Sequence, residues 1–458
     1  MPNYGNLFQR IKGSEWIAPP IGLAYLAAVL EKEGHEVEIF DMQIEDRIFS
    51  NVLSKFNPDI VGVSSATPLF NRSVDILKEV KRFNPNILTV IGGPHPTALP
   101  SQTAAESCID VVIFGEGETA LCELVKNLKK NKLDEIKGIA YKINGRVVVN
   151  EPRKPIDDLD SLPFPAYHLL KLKKYRHPLM KTNAVISILT SRGCPYSCCF
   201  CNKKIFGHKF RARSPENVVD EMEFLVNEYR IKEFLIIDDN FTSDKNRVVK
   251  ICEEIIKRGL KISWATPNGI RIDTVDRELI RLMKRAGCYS LTFGIESGSP
   301  RIIKSIGKQI SLNQVRKVFK ICRLENIQTT ALFVIGLPNE TADDLRKTID
   351  FSKEIRADVA DFHILIPLPG TPVYDYLKKE GLLLENDWSK YSFHTEPVFR
   401  TKELTKDEIL MWYKTAYREF YTNPYLYLDR LRKMTSLSAI RNNAKAFKTI
   451  LQSFILKK

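Results

Sequence analysis

No apolar run in the 458-residue chain is both long enough and free enough of charge to cross a membrane, and no signal peptide opens it. An integral or exported protein is therefore not expected, and the expected location is cytoplasmic, extending at most to the inner face of the membrane. A disulfide framework is also missing. Of nine cysteines, four are crowded into one stretch, which suits a reducing compartment and metal chemistry. Zinc fits those four poorly, because there is no second CxxC pair and no downstream histidine partner. With 44% hydrophobic and 27% charged residues, the chain has no compositional reason for long disorder and has room for two or three domains. Charge balance is absent as well. A net charge of +14 points to an acidic partner such as a membrane surface, nucleic acid or a phosphorylated substrate, without choosing among them.

What is present begins with an alternation. Helix-like pieces at 21–32, 71–82 and 119–128 alternate with strand-like pieces at 36–41, 60–64, 88–91 and 111–114, the pattern of a doubly wound parallel sheet. The strands end in small or polar loops that hold Ser65 and Thr67, then Gly92, Gly93 and His95, then Gly115, Glu116, Gly117 and Glu118. In such sheets the carboxyl ends of the strands form the ligand crevice, and glycine lets backbone approach a ligand. Residues 1–135 are expected to form this domain; no apolar strand precedes Pro19-Pro20, so either a first, central strand lies upstream of the given start or the domain is incomplete. Residues 139–143 and 147–149 flank Asn144-Gly145 and predict a hairpin, and a proline-rich connector follows at 159–167. Residues 136–183 are therefore expected to bridge two domains.

A second alternation occupies the expected domain 184–395. Six predicted strands, at 185–190, 233–237, 261–265, 290–294, 330–335 and 362–367, make a partial (β/α)6 TIM-like barrel. The first strand delivers SRGCPYSCCFCN, residues 191–202, to the carboxyl end, where β/α barrels keep their active sites. Cys194, Cys198 and Cys201 are spaced CxxxCxxC, with Phe200 before the last. Three thiolates on one short loop can hold three irons of a [4Fe-4S] cubane and leave the fourth open. Cys199 fits neither gap and reads as packing, as do the scattered Cys252, Cys288 and Cys322. Asp238 and Asp239 follow the second strand, Glu296 and Ser297 the fourth, and Gly336 the fifth. His208, Lys209, Arg211 and Arg213 read as a solvated basic turn, with contact to an anionic substrate group as the alternative. Residues 396–458 are expected to be a basic helical region, with a helix at 404–421. The tail after 425 carries eight basic residues against one acid, with apolar residues at three- and four-residue spacing. It reads either as an amphipathic helix lying in an anionic membrane interface or as a helix packed on the barrel.

The cysteine stretch resembles the radical S-adenosylmethionine (SAM) superfamily. The pieces IGGPH, FGEGE and residues 19–41 resemble the cobalamin-binding domain that precedes the radical SAM domain in one subclass, which includes the anaerobic magnesium-protoporphyrin monomethyl ester cyclase and radical SAM C-methyltransferases. The resemblance implies a Rossmann-like cobalamin domain, a radical SAM barrel and a helical C-terminal region. It implies cobalamin at the three strand-end loops named above, from Ser65 to Glu118. SAM would meet Asp238 and Asp239 through its amino group, Glu296 and Ser297 through its ribose, and backbone at Gly336. Three departures stand out: there is no DxHxxG, no GGE triplet, and Phe333 replaces the first glycine of GxIxGxxE. The implied reaction is reductive cleavage of SAM to a 5′-deoxyadenosyl radical, followed by methylation of an unactivated carbon. Ring formation or rearrangement is the alternative, and a corrinoid- or cluster-binding protein without turnover is the second alternative. The implied partners are a small-molecule substrate, with a lipid or isoprenoid favoured by the tail, and an electron donor such as ferredoxin or flavodoxin. No nucleic acid is expected.

Overall fold

The computed structural model describes residues 17–127, 132–177, 181–182, 184–392 and 396–424. Runs rich in Val and Ile form the first sheet: LTVIG is buried at its three central residues, whereas IVGVS buries only Val63. Its strands are β1 (Ile60–Ser64), β2 (Leu88–Gly92), β3 (Val111–Ile113), β4 (Ile139–Ile143) and β5 (Arg146–Val149), in spatial order 1-2-3-4-5. The first three are parallel, with Val63 opposite Ile91 and Val90 opposite Val111. The predicted hairpin is real, but it is no bridge. β4 pairs antiparallel with β3, Val111 opposite Tyr141, because Ile139, Ala140 and Tyr141 bury against that strand and extend the first sheet.

The predicted strand at 36–41 does not form. A strand needs a ladder partner, and among the described residues none lies beside this segment. Instead Val37, Ile39 and Phe40 line a cavity of about 1120 Å³ that Ile60–Ser64 of β1 line as well, and among the described residues β1 pairs only with β2. An unanticipated helix, Phe49–Phe56, leads into β1.

The barrel strands are β6 (Ile186–Ile188), β9 (Glu233–Ile236), β10 (Ser263–Ile270), β11 (Cys288–Glu296), β12 (Gln328–Ile335) and β13 (Val359–Ile364); between the first two lies a two-residue ribbon, β7 (Ser191–Arg192) with β8 (Arg211–Ala212). The six strands of this sheet are all parallel and stand in sequence order, with β6 and β13 at the two edges. Every residue of β11 is buried, so it is the central stave. Cys252, Cys288 and Cys322 are buried in this core, as expected.

The edge at β13 is covered. The helix Lys406–Tyr421 starts on a Thr405/Glu408 capping box and lays Tyr417 and Tyr421 over it; Tyr421 donates to the Ala360 carbonyl at 2.9 Å. No helix among the described residues is long and apolar enough to cross a membrane, and the basic tail after 425 lies outside them. The expected solvated turn is only half so. His208 and Lys209 are exposed, but Arg211 and Arg213 are buried, each paired with a glutamate, Glu116 and Glu221 respectively.

Candidate cofactor crevice

The cysteines sit on a hairpin whose base is the β7–β8 ribbon, where Arg192 faces Arg211. Gly193 turns the chain into the loop at φ +81°, and a Cβ there would lie 2.3 Å from the Lys209 carbonyl oxygen, so no other residue fits. The Cys199 backbone is pinned on both sides: its N–H donates to Ile306 and its carbonyl accepts from Val373, each at 3.1 Å. Its side chain packs on the barrel core, in keeping with its reading as packing. Cys194 is buried, Cys198 half-buried and Cys201 exposed. Burial raises the Cys198 thiol, while Lys308 and Arg271 near it favour the thiolate.

Among the described residues no three ligating side chains converge as a single metal ion would require. A cubane spreads its thiolates over separate irons. Three thiols on one glycine-turned hairpin, ringed by cations, fit such a cluster and not a closed zinc site.

The strand ends around the hairpin divide the sequence-predicted residues by role. Asp238 is buried and fully engaged: it accepts from Thr190 N–H at 2.6 Å and from the Thr190 and Ser191 hydroxyls at 2.5 Å each. It ties the end of β6 to the end of β9. Asp239 is the exposed one, and it accepts from Gly193 N–H at 3.1 Å, beside the cluster loop.

Glu296 ends β11 at φ +68°, in the left-handed region, just past a bulge. That strained turn directs its carboxylate to Lys308 Nζ at 2.5 Å, and both residues are buried. The pair occupies the space beside Gly294, where a Cβ would lie 2.6 Å from both charged groups. Lys308 had no signal in the sequence, since its role depends on a loop whose Ile306 carbonyl is bonded to Cys199. Ser297 faces away from the crevice, bonded to Thr348 at 3.0 Å. Gly336 adopts φ +88°, and a Cβ there would press on Phe399 at 3.0 Å and Ile409 at 3.3 Å, so close packing asks for the glycine. Its N–H donates to Glu340, a buried carboxyl that desolvation lifts to about 8.

On the facing sheet, Gly92, Gly93, Gly115, Glu116, Gly117 and Glu118 wall the 1120 Å³ cavity, and Leu189, Arg192 and Phe206 of the barrel side complete it. Gly93 is obligatory, because a Cβ would lie 2.9 Å from both Ser65 N and Ser65 O. Ser65, Thr67 and His95 are sealed behind that wall. Ser65 Oγ accepts from Ser73, and His95 contacts Thr67 at 3.3 Å while stacked on Phe70 at 4.2 Å, with Trp388 edge-on at 5.1 Å. Burial lowers His95 to about 4, which keeps the ring neutral. The cavity is somewhat larger than the ~300–1,000 Å³ usual for small-molecule sites; residues 22–63 supply most of its lining, and at its strand-end side Gly92, Gly93, Gly115 and Gly117 leave backbone that a macrocycle can approach.

Two family models match the chain: a B12 binding domain over residues 14–125 and the radical SAM superfamily over residues 188–352. An uncharacterized methyltransferase of Pyrococcus horikoshii is 38% identical over 430 residues, covering 93% of this chain and 92% of the relative. The anaerobic magnesium-protoporphyrin IX monomethyl ester cyclase of Cereibacter sphaeroides is 31% identical over 437 residues, covering 93% and 70%. Among solved structures, the radical SAM methyltransferase TsrM of Kitasatospora setae, with cobalamin and a [4Fe-4S] cluster bound, shares the fold. Its TM-score is 0.72 at 18% identity, over 94% of this chain and 96% of that one.

Proposed function

This chain belongs to the cobalamin-binding radical SAM enzymes, and from that premise we propose that it transfers a methyl group from SAM to an unactivated carbon of a small-molecule substrate. The observation that carries the reading is one cavity wall shared by the glycine loops of the first sheet and by Leu189, Arg192 and Phe206 next to the cysteine hairpin. Cys194, Cys198 and Cys201 would hold the [4Fe-4S] cluster; Asp239 and Glu296 would meet SAM, and Gly92, Gly93, Gly115 and Gly117 would line the corrinoid. When bound, these groups supply reductive SAM cleavage and a transferable methyl group.

The chain's own residues do the positioning. Asp238 locks the strand ends beneath the cysteine hairpin, and Asp239 fixes the Gly193 turn. Lys308 holds the Glu296 carboxylate in place, so that its acceptor oxygens are set before a ribose arrives. Tyr25, Leu189 and Phe206 present rings and methyls to the crevice and keep water from the reacting carbon.

The cyclase relative favours a second reading, ring formation on the same scaffold. A lipid or isoprenoid remains the proposed substrate class, a low-potential ferredoxin or flavodoxin the proposed donor, and an anionic membrane face the proposed site of the tail after 425. Anaerobic turnover of lipid extracts with methyl-deuterated SAM tests the main reading. A product carrying the intact labelled methyl supports it; a corrinoid-dependent product without label assigns the chain to ring formation.

A further inference from the structure

The cysteine hairpin is closed at its base by two arginines, and both are gripped from the other domain. Arg211 Nη2 donates to Glu116 Oε1 at 2.6 Å and Arg192 Nη2 to Glu118 Oε1 at 2.6 Å. Arg192 Nη1 stands 3.6 Å from Glu116 Oε1, which links the two pairs. All four residues are 7% exposed or less. The Arg192 guanidinium lies 5.5 Å from the Tyr25 ring centroid and 5.3 Å from that of Phe206.

Buried charges persist only where each has its partner, and displacing one member strands the rest. The hairpin is therefore held at one setting relative to the first sheet. Glu116, Glu118, Arg192, Tyr25 and Phe206 also wall the crevice, so an occupant of the cavity abuts the side chains that hold the hairpin. Two donors in the grip, Arg192 Nη1 and Arg211 Nε, are buried without a hydrogen-bond acceptor.

We propose that Glu116 and Glu118 are positioning residues that clamp the cysteine hairpin against the corrinoid crevice, and that Arg192, two residues before Cys194, transmits occupancy of the crevice to the cluster. The proposal rests on the reading that the crevice takes a corrinoid. It gives the two glutamates a task other than contacting the cofactor, and it makes the cluster's surroundings depend on the neighbouring site.

The test uses the full chain carrying a reconstituted cluster, as wild type, Glu118→Gln and Arg192→Lys, titrated with hydroxocobalamin. Three readouts are taken: affinity by absorbance, the electron paramagnetic resonance signal of the reduced cluster, and amide hydrogen exchange across residues 193–210. In the wild type, cobalamin should alter the cluster signal and slow exchange in the hairpin. Glu118→Gln should keep its iron, bind cobalamin at least about tenfold more weakly, and show little or no change in the cluster signal. Arg192→Lys, which retains the charge but not the fork, should fall between them. A wild-type hairpin and cluster signal indifferent to bound cobalamin would overturn the proposal, and that measurement does not depend on any variant folding. So would a Glu118→Gln chain whose response equals the wild type's. Failure of the wild type to bind cobalamin at all would instead remove the corrinoid reading, and the clamp's purpose with it.

Discussion

At the scale of single residues, spacing points to the proposed cluster ligands and to nothing else. The CxxxCxxC pattern separates Cys194, Cys198 and Cys201 from Cys199, and the structure packs Cys199 on the barrel core. Each ligand cysteine replaced by Ala should lose most of its iron after anaerobic reconstitution, whereas Cys199→Ala should keep it; iron content per chain decides. Division of labour between adjacent acids was not legible. Asp238 and Asp239 are equivalent in the sequence, yet only one is consumed by Thr190 and Ser191, because alternate side chains leave a strand end on opposite faces.

Glu340 offers a pH test. Desolvation, opposed by the Gly336 and Leu337 N–H groups, lifts its carboxyl from 4.5 to about 8. The folded chain thus keeps a proton that the unfolded chain releases between those values, so this residue's contribution to stability falls as pH rises through that window and levels off above it. Glu340→Gln should flatten that dependence. Melting temperatures of both proteins at pH 5.5 and 8.5 check it, and parallel losses would contradict it.

At the scale of elements, long buried strands and helices were readable and short or partner-dependent ones were not. β1 was predicted over its full length, and the helix Ile21–Lys32 likewise, since apolar periodicity fixes both. The segment at 36–41 has a strand's composition but, among the described residues, no neighbour to pair with. The β7–β8 ribbon has two residues per strand, too few for any period to show, and Arg211 reads as solvated because its partner Glu116 lies 95 residues away. The Glu296–Lys308 pair is a similar case, assembled by a bulge in β11 and by the loop that meets the cysteine hairpin. Lys308→Met should cost about 3 kcal/mol or more, the usual penalty for stranding one charge of a buried pair, and should weaken SAM binding. Gly294→Ala should weaken SAM binding too without removing a charge, because its Cβ enters the space the pair fills. Denaturant unfolding and SAM titration of both variants check this; normal SAM affinity in both would show that the pair is only structural.

At the scale of the molecule, two sheets present their carboxyl ends to one crevice. The first supplies glycine loops, the second the cysteine hairpin, and buried ion pairs fix one against the other. That arrangement was foreseeable in outline, because each strand-end loop could be read separately. The sealing of Ser65, Thr67 and His95 behind the wall could not be, since Trp388, which closes over His95, comes from the far end of the barrel domain. The central claim is that one chain holds a corrinoid and a cluster side by side. Anaerobic reconstitution with iron, sulfide and hydroxocobalamin, followed by gel filtration and metal analysis, measures it directly. The account predicts one cobalt and four irons retained per chain, with cobalt still retained by Cys198→Ala after its iron is lost. A chain that keeps four irons and cleaves SAM but retains no cobalt would contradict it.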